Sequence, residues 1–175
     1  MNEYGRGVGI DRWSPERDPT VLGVVVHGPA IVARSPGIAI AVRCVLAGPG
    51  GLEFDVVLRA VGVQGEAASR QTFGGSARRL HDADGAERAW RKGSEPVLVI
   101  EVDGRRASAY PYEKSNSGGD DEFTSELRVA ISGLPSDGRV TLVASWPEAG
   151  LAEAATTLDL ASFDDLENRV VRLPT

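Results

Sequence analysis

Alternation is the strongest pattern in this 175-residue chain. Ile38, Ile40, Val42, Cys44 and Leu46 fall on one side of an extended segment, and Ala39, Ala41, Arg43 and Val45 fall on the other. Past Gly48-Pro49-Gly50-Gly51, Leu52, Phe54, Val56 and Leu58 alternate with Glu53, Asp55, Val57 and Arg59. Side chains of a strand project to opposite faces with period two, so this predicts an antiparallel hairpin with one buried face. A helix would scatter the Leu/Phe/Val set around its circumference.

Weaker runs flank the hairpin. Thr20 to His27 is a Val/Leu run stopped by Gly28-Pro29, and Ala30 to Arg34 resumes until Ser35-Pro36-Gly37. Proline lacks the ladder N–H, so both stops read as strand ends or bends. Val97 to Val102 is a second strong strand. Asp103-Gly104 fits a tight hairpin turn, and Arg105 to Tyr112 is the expected return. Phe123, Leu127, Val129 and Ile131 restart the alternation, and Val140, Leu142, Ala144 and Trp146 continue it to Pro147. A last strand is expected within Ala154 to Leu160. Ser162 is placed to cap a short helix carrying the apolar stripe Phe163, Leu166 and Val170.

About seven to nine short strands separated by turns predict an all-β antiparallel β-sandwich with a short C-terminal α-helix. Residues 1–19, rich in glycine and charge, read as a flexible N-terminal arm, and 20–175 as a single domain. Two stretches lack any period. Residues 63–96 read as a long loop, with short strands possible near Arg70–Phe73 and Ala89–Arg91. Residues 113–122 (EKSNSGGDDE) read as an exposed, mobile loop.

Composition narrows the function classes. A chain of this length buries about 70% of its unfolded surface in one core and needs no staple. The net charge is -6, from 19 Lys+Arg against 25 Asp+Glu, which argues against a nucleic-acid or anionic-membrane partner. Cys44 is the single cysteine, and His27 and His81 are the two histidines, so the usual zinc and iron ligand sets are missing. No apolar run is long enough for a transmembrane helix, and no secretory leader pattern is visible, so the expected location is cytoplasmic.

Two segments, Ala33 to Ala60 and Arg139 to Asp159, carry a resemblance. Ser35, Leu52-Glu53-Phe54 and Ser145-Trp146-Pro147-Glu148 resemble motifs of a family of uncharacterised β-rich proteins common in actinobacteria. The resemblance implies a small, intracellular β protein and supplies no activity.

Candidate chemistry is thin. His81-Asp82-Ala83-Asp84-Gly85 has the start of a calcium loop but lacks the closing glutamate, and reads as an acidic turn. Glu53 and Asp55 have the spacing of an acid/base pair, yet plain strand alternation gives the same pattern. Cys44 is expected to pack in the core and His27 to serve structure. No G-x-S-x-G elbow or phosphate loop is present.

The expected function is therefore a non-enzymatic binding or assembly module. It works through protein–protein contacts, with a protein partner or homo-oligomer, and with no cofactor, metal or catalytic residue. The candidate partner surface is Trp90, Tyr110, Tyr112, Asp120, Asp121 and Glu122. Tyrosine and tryptophan suit binding surfaces, and the three acids concentrate charge in one loop. The alternative is a small-ligand site, carbohydrate or Ca²⁺-linked, built from the tyrosines and the acidic loop.

Overall fold

A computed structural model describes residues 18–74 and 93–174. The chain order is β1 (Val21–Leu22), β2 (Val24–His27), β3 (Ala30–Ser35), β4 (Ile38–Gly48), β5 (Gly51–Val61) and α1 (Val63–Phe73). There follow β6 (Val97–Val102), β7 (Arg105–Ser108), β8 (Glu113–Gly118), β9 (Glu122–Ser132) and β10 (Arg139–Trp146). A 3-10 turn at Pro147–Ala149 leads to β11 (Leu151–Asp159), α2 (Leu166–Arg169) and β12 (Val171–Arg172).

The fold is an all-β antiparallel sandwich with a short helix near the C-terminus. The larger sheet runs β2-β4-β5-β9-β8, with β3 also paired to β4. The smaller sheet runs β11-β10-β6-β7, and β1 pairs with β12 in a separate ribbon. Between the sheets lie Ile40, Val42, Phe54, Val56 and Leu58 from one side and Ile100, Leu142 and Trp146 from the other, all fully buried. Asp103 and Gly104 both have positive φ, 49° and 74°, as a two-residue turn between β6 and β7 requires.

The two sides of the sandwich differ. On one, β3 lies against β11: the Thr156 hydroxyl donates to the Val32 carbonyl (2.9 Å), and the Ala152 amide donates to the Ser35 hydroxyl (3.0 Å). On the other, β7 and β8 are edge strands, and Ala109–Tyr112 carries the chain from one sheet to the other.

The return strand expected over Arg105 to Tyr112 ends at Ser108, and the structure differs from the expectations at four further places. The first lies within the central hairpin. Val42 pairs with Val56 but Cys44 pairs with Asp55, so Arg43 is an extra residue in β4. Such a bulge switches the inward phase of the strand. Val45 and Ala47 are therefore the buried residues, while Cys44 and Leu46 are only half-buried.

Second, the stretch read as a loop from 63 begins with a helix, α1, and Arg70–Phe73 is its last turn rather than a strand. Third, residues 113–118 form β8, paired residue for residue with β9 from Glu113–Arg128 to Gly118–Phe123. Fourth, Ser162 accepts a bond from the Asp164 amide (3.0 Å) but does not cap α2, which starts after Asp165. The arm at 1–17, the 82–85 turn, His81 and the segment at Ala89–Arg91 lie outside the described residues.

Helix α1 closes one end of the sandwich. Its buried residues are Gly65 and Ala68, so it packs by close backbone approach rather than by large side chains. Glu66 and Arg70 pair across one turn, and Gly74 ends the helix in the left-handed conformation. From its last turn, Phe73 meets Phe123 edge-on at 6.1 Å, and Phe123 meets Trp146 at 5.8 Å.

Candidate interaction surfaces

Tyr110 and Tyr112 sit where the chain crosses between edge strands, 54% and 41% exposed. The Tyr112 amide donates to the Arg128 carbonyl (3.0 Å), which fixes that tyrosine to one end of β8. Asp120 and Asp121 join β8 to β9 at the opposite end. Five residue steps separate Glu113 from Gly118, about 17 Å of strand. The tyrosines and the acidic turn therefore do not form one site. Trp90 lies outside the described residues.

The acidic turn is held by α1. The Gly62 amide donates to the Asp121 carbonyl (2.6 Å), and the Ser69 hydroxyl donates to the Gly119 carbonyl (3.2 Å). Glu122 is a strand residue whose carboxylate takes the Arg59 guanidinium at 2.8 Å. Arg59 also donates to the Thr124 hydroxyl (2.9 Å). Of these three acids, Asp120 and Asp121 keep exposed carboxylates with no side-chain partner among the described residues.

The outer face of the larger sheet is a charge lattice. Arg43 reaches Glu126 at 2.5 Å and Asp55 at 3.5 Å, and Arg128 reaches Glu113 at 3.6 Å. The bond to Glu126 raises the Arg43 pKa, and the nearby charge of Glu113 does the same for Arg128. Asp55 is thus a member of an ion-pair lattice. Cys44 borders this face, and its thiol pKa is pushed up first by burial and then by the carboxylates of Asp55 and Glu53. His27 donates from Nδ1 to the adjacent Gly28 carbonyl (2.7 Å), a local structural bond. Among the described residues, no group of three or more His, Cys, Asp or Glu is placed to hold a metal ion.

A surface not anticipated from the sequence is the β1–β12 ribbon. Leu22 pairs with Val171, and the Leu173 amide donates to the Thr20 carbonyl (2.7 Å). Cross-strand partners share a face, so Leu22, Val171 and Leu173 project together, 49%, 57% and 42% exposed. The other ribbon face, Val21 and Arg172, roofs a cleft of about 180 Å³ floored by Leu46, Glu53, Ala130 and the Gly48–Gly51 turn. Asp18 stands at its mouth. Bonds from the Thr20 hydroxyl (2.6 Å) and amide (2.9 Å) hold that carboxyl below its ordinary range, and Arg172 adds to the effect. The cleft is smaller than the roughly 300–1,000 Å³ usual for small-molecule sites. The available sequence signal was the alternation Val171-Arg172-Leu173 before Pro174, too short to read as a strand by itself.

Among the described residues no helix is long and apolar enough to cross a membrane. No family model, curated protein or solved structure matches the chain.

Proposed function

We propose that this protein is a non-enzymatic binding module that works through protein–protein contacts. The supporting observation is the outer face of the β1–β12 ribbon, where Leu22, Val171 and Leu173 stand in water on paired strands. Contiguous exposed apolar side chains on an ordered framework are a feature of interaction surfaces. Tyr110 and Tyr112 form a second candidate region, apart from the acidic turn.

The test is quantitative affinity purification of the tagged full chain from the cells that make it. The comparison is a variant carrying Leu22→Ser, Val171→Ser and Leu173→Ser, its fold checked by circular dichroism. The expected result is at least one partner enriched with the native chain and lost with the variant. Identical protein profiles from the two chains overturn the ribbon as the contact surface.

A further inference from the structure

A second surface has the layout of a self-complementary contact. One row of the larger sheet's outer face runs Arg34–Ala39–Arg59–Thr124–Ser117, each residue the direct cross-strand partner of the next. The neighbouring row holds Val61 opposite Glu122, with Gly37 on one side and Gly119 on the other. Beyond Gly119 comes the Asp120–Asp121 turn. Four strand spacings of about 4.8 Å make this strip about 19 Å long, with β5 at its middle.

The charges along the strip are polarised. Arg59 in the middle is neutralised by Glu122. At one end Arg34 is exposed and makes no ion pair among the described residues. At the other end Asp120 and Asp121 are exposed in the same condition. Beside the Arg59–Glu122 ion pair Val61 is 45% exposed, and Pro36 and Ala39 line a shallow depression together with Arg34 and Arg59. The turn is rigidly presented, because Gly62 and Ser69 of the helix region bind its backbone.

We propose that this strip binds a second copy of the chain in a twofold arrangement. The axis lies in the plane of contact, passes Val61 and is inclined by about 30° to β5, because the acidic turn lies about three residue steps, roughly 10 Å, further along the strands than Arg34. That rotation sets Arg34 of each copy against the Asp120–Asp121 turn of the other and closes Val61 on Val61. Twofold contacts require the same patch on both subunits, with each feature facing its complement, and a strip positive at one end and negative at the other meets that requirement. The footprint is small, so the dimer belongs to the weak, transient class and is sensitive to salt. The proposal goes beyond the ribbon reading and stands on a different surface.

The test is sedimentation velocity of the full chain from low to high micromolar concentration. The wild-type chain dimerises with rising concentration, and raising salt from about 0.05 M to about 0.5 M weakens this severalfold. Arg34→Asp alone stays monomeric, because two like-charge contacts face each other. Asp120→Arg with Asp121→Arg alone stays monomeric for the same reason. An equimolar mixture of the two variants forms a heterodimer, since both contacts are then of opposite sign. A wild-type chain that is monomeric throughout overturns the proposal, as do variants that dimerise like wild type or a mixture that stays monomeric. None of these outcomes bears on the ribbon, which the partner-capture experiment decides separately.

Discussion

Gly65 of α1 lies so close to Asp121 that a Cβ at position 65 would stand 2.5 Å from the Asp121 carbonyl oxygen. The same Cβ would stand 2.8 Å from the Glu122 Cα. Both obstacles are backbone, and neither can swing away. The helix thus rests on the β8–β9 turn through a missing side chain.

Gly65→Ala is expected to destabilise the fold, although alanine gains about 1 kcal/mol of helix propensity over glycine. Overpacking against backbone costs about 1–3 kcal/mol, and here it acts on a contact with little slack. Each kcal/mol lowers the melting temperature by about 2–4 °C in a chain of this size. Gly119→Ala is the control, because a Cβ there meets nothing within 4 Å. Thermal melts of the two variants check the claim, and a Gly65→Ala chain as stable as Gly119→Ala contradicts it.

Trp146 is fully buried, and its indole Nε1–H donates to the Ser94 hydroxyl at 2.9 Å. The Ser94 amide donates in turn to Oε1 of Gln71 (2.8 Å), so this short chain ties α1 to the smaller sheet. Ser94→Ala leaves a buried donor without an acceptor. The expected loss is about 1–3 kcal/mol, the usual desolvation penalty of an orphaned polar group. Urea denaturation should show a lower midpoint with an unchanged slope. An unchanged midpoint would mean that the indole finds another acceptor.

The elements legible in the sequence are those whose buried face is built from large apolar residues at regular period. The β4–β5 hairpin, β6, β9 and β10 all follow from alternation. The Asp103-Gly104 turn was readable because few residues tolerate positive φ at two successive positions. Helix α1 was invisible for the opposite reason. Its inward face is Gly65 and Ala68, which give no hydrophobic period even though they are what lets the helix dock. Strand β8 was hidden by composition: Glu113 to Gly118 is stabilised by pairing with β9, not by burial of its own side chains. The bulge at Arg43 left no local mark, since Arg43-Cys44-Val45 alternates acceptably in either phase. The candidate surface was legible as residue types and not as geometry. Nothing in the spacing says that β8 separates Tyr112 from Asp120, or that residues 20–22 meet residues 171–173.

Arg43 bridges Asp55 and Glu126 across the outer face, and its side chain is 46% exposed. Arg43→Ala is expected to cost less than about 1 kcal/mol, because exposed ion pairs gain little over hydrated charges. The difference should fade near 1 M salt, where the screening length falls to about 3 Å. Paired denaturation curves at low and high salt check this. A salt-independent loss would instead mean that the aliphatic stem of Arg43 packs over the bulge.

Cys44 offers a probe of the bulge by its chemistry. Burial raises the thiol pKa, and the negative field of Asp55 and Glu53 raises it further, while Arg128 and Arg43 oppose the shift. A raised pKa means less thiolate at any given pH, and thiolate is the reacting species. Reaction with a disulfide reagent should be slower than for an unperturbed cysteine, whose pKa is about 8.5, and its pH midpoint should lie higher. Asp55→Asn removes the nearer carboxylate and releases Arg43, so the midpoint should fall. Arg128→Ala removes an opposing cation, so the midpoint should rise. The opposite signs separate an electrostatic cause from simple opening of the strand, which would speed both variants. The same shift ties stability to pH. The thiol form favours the fold fully below the unfolded-state pKa, and that contribution is lost as pH rises through the higher folded-state value. Were Cys44 inward, as strict alternation from Ile38 requires, neither charge variant would move its midpoint appreciably.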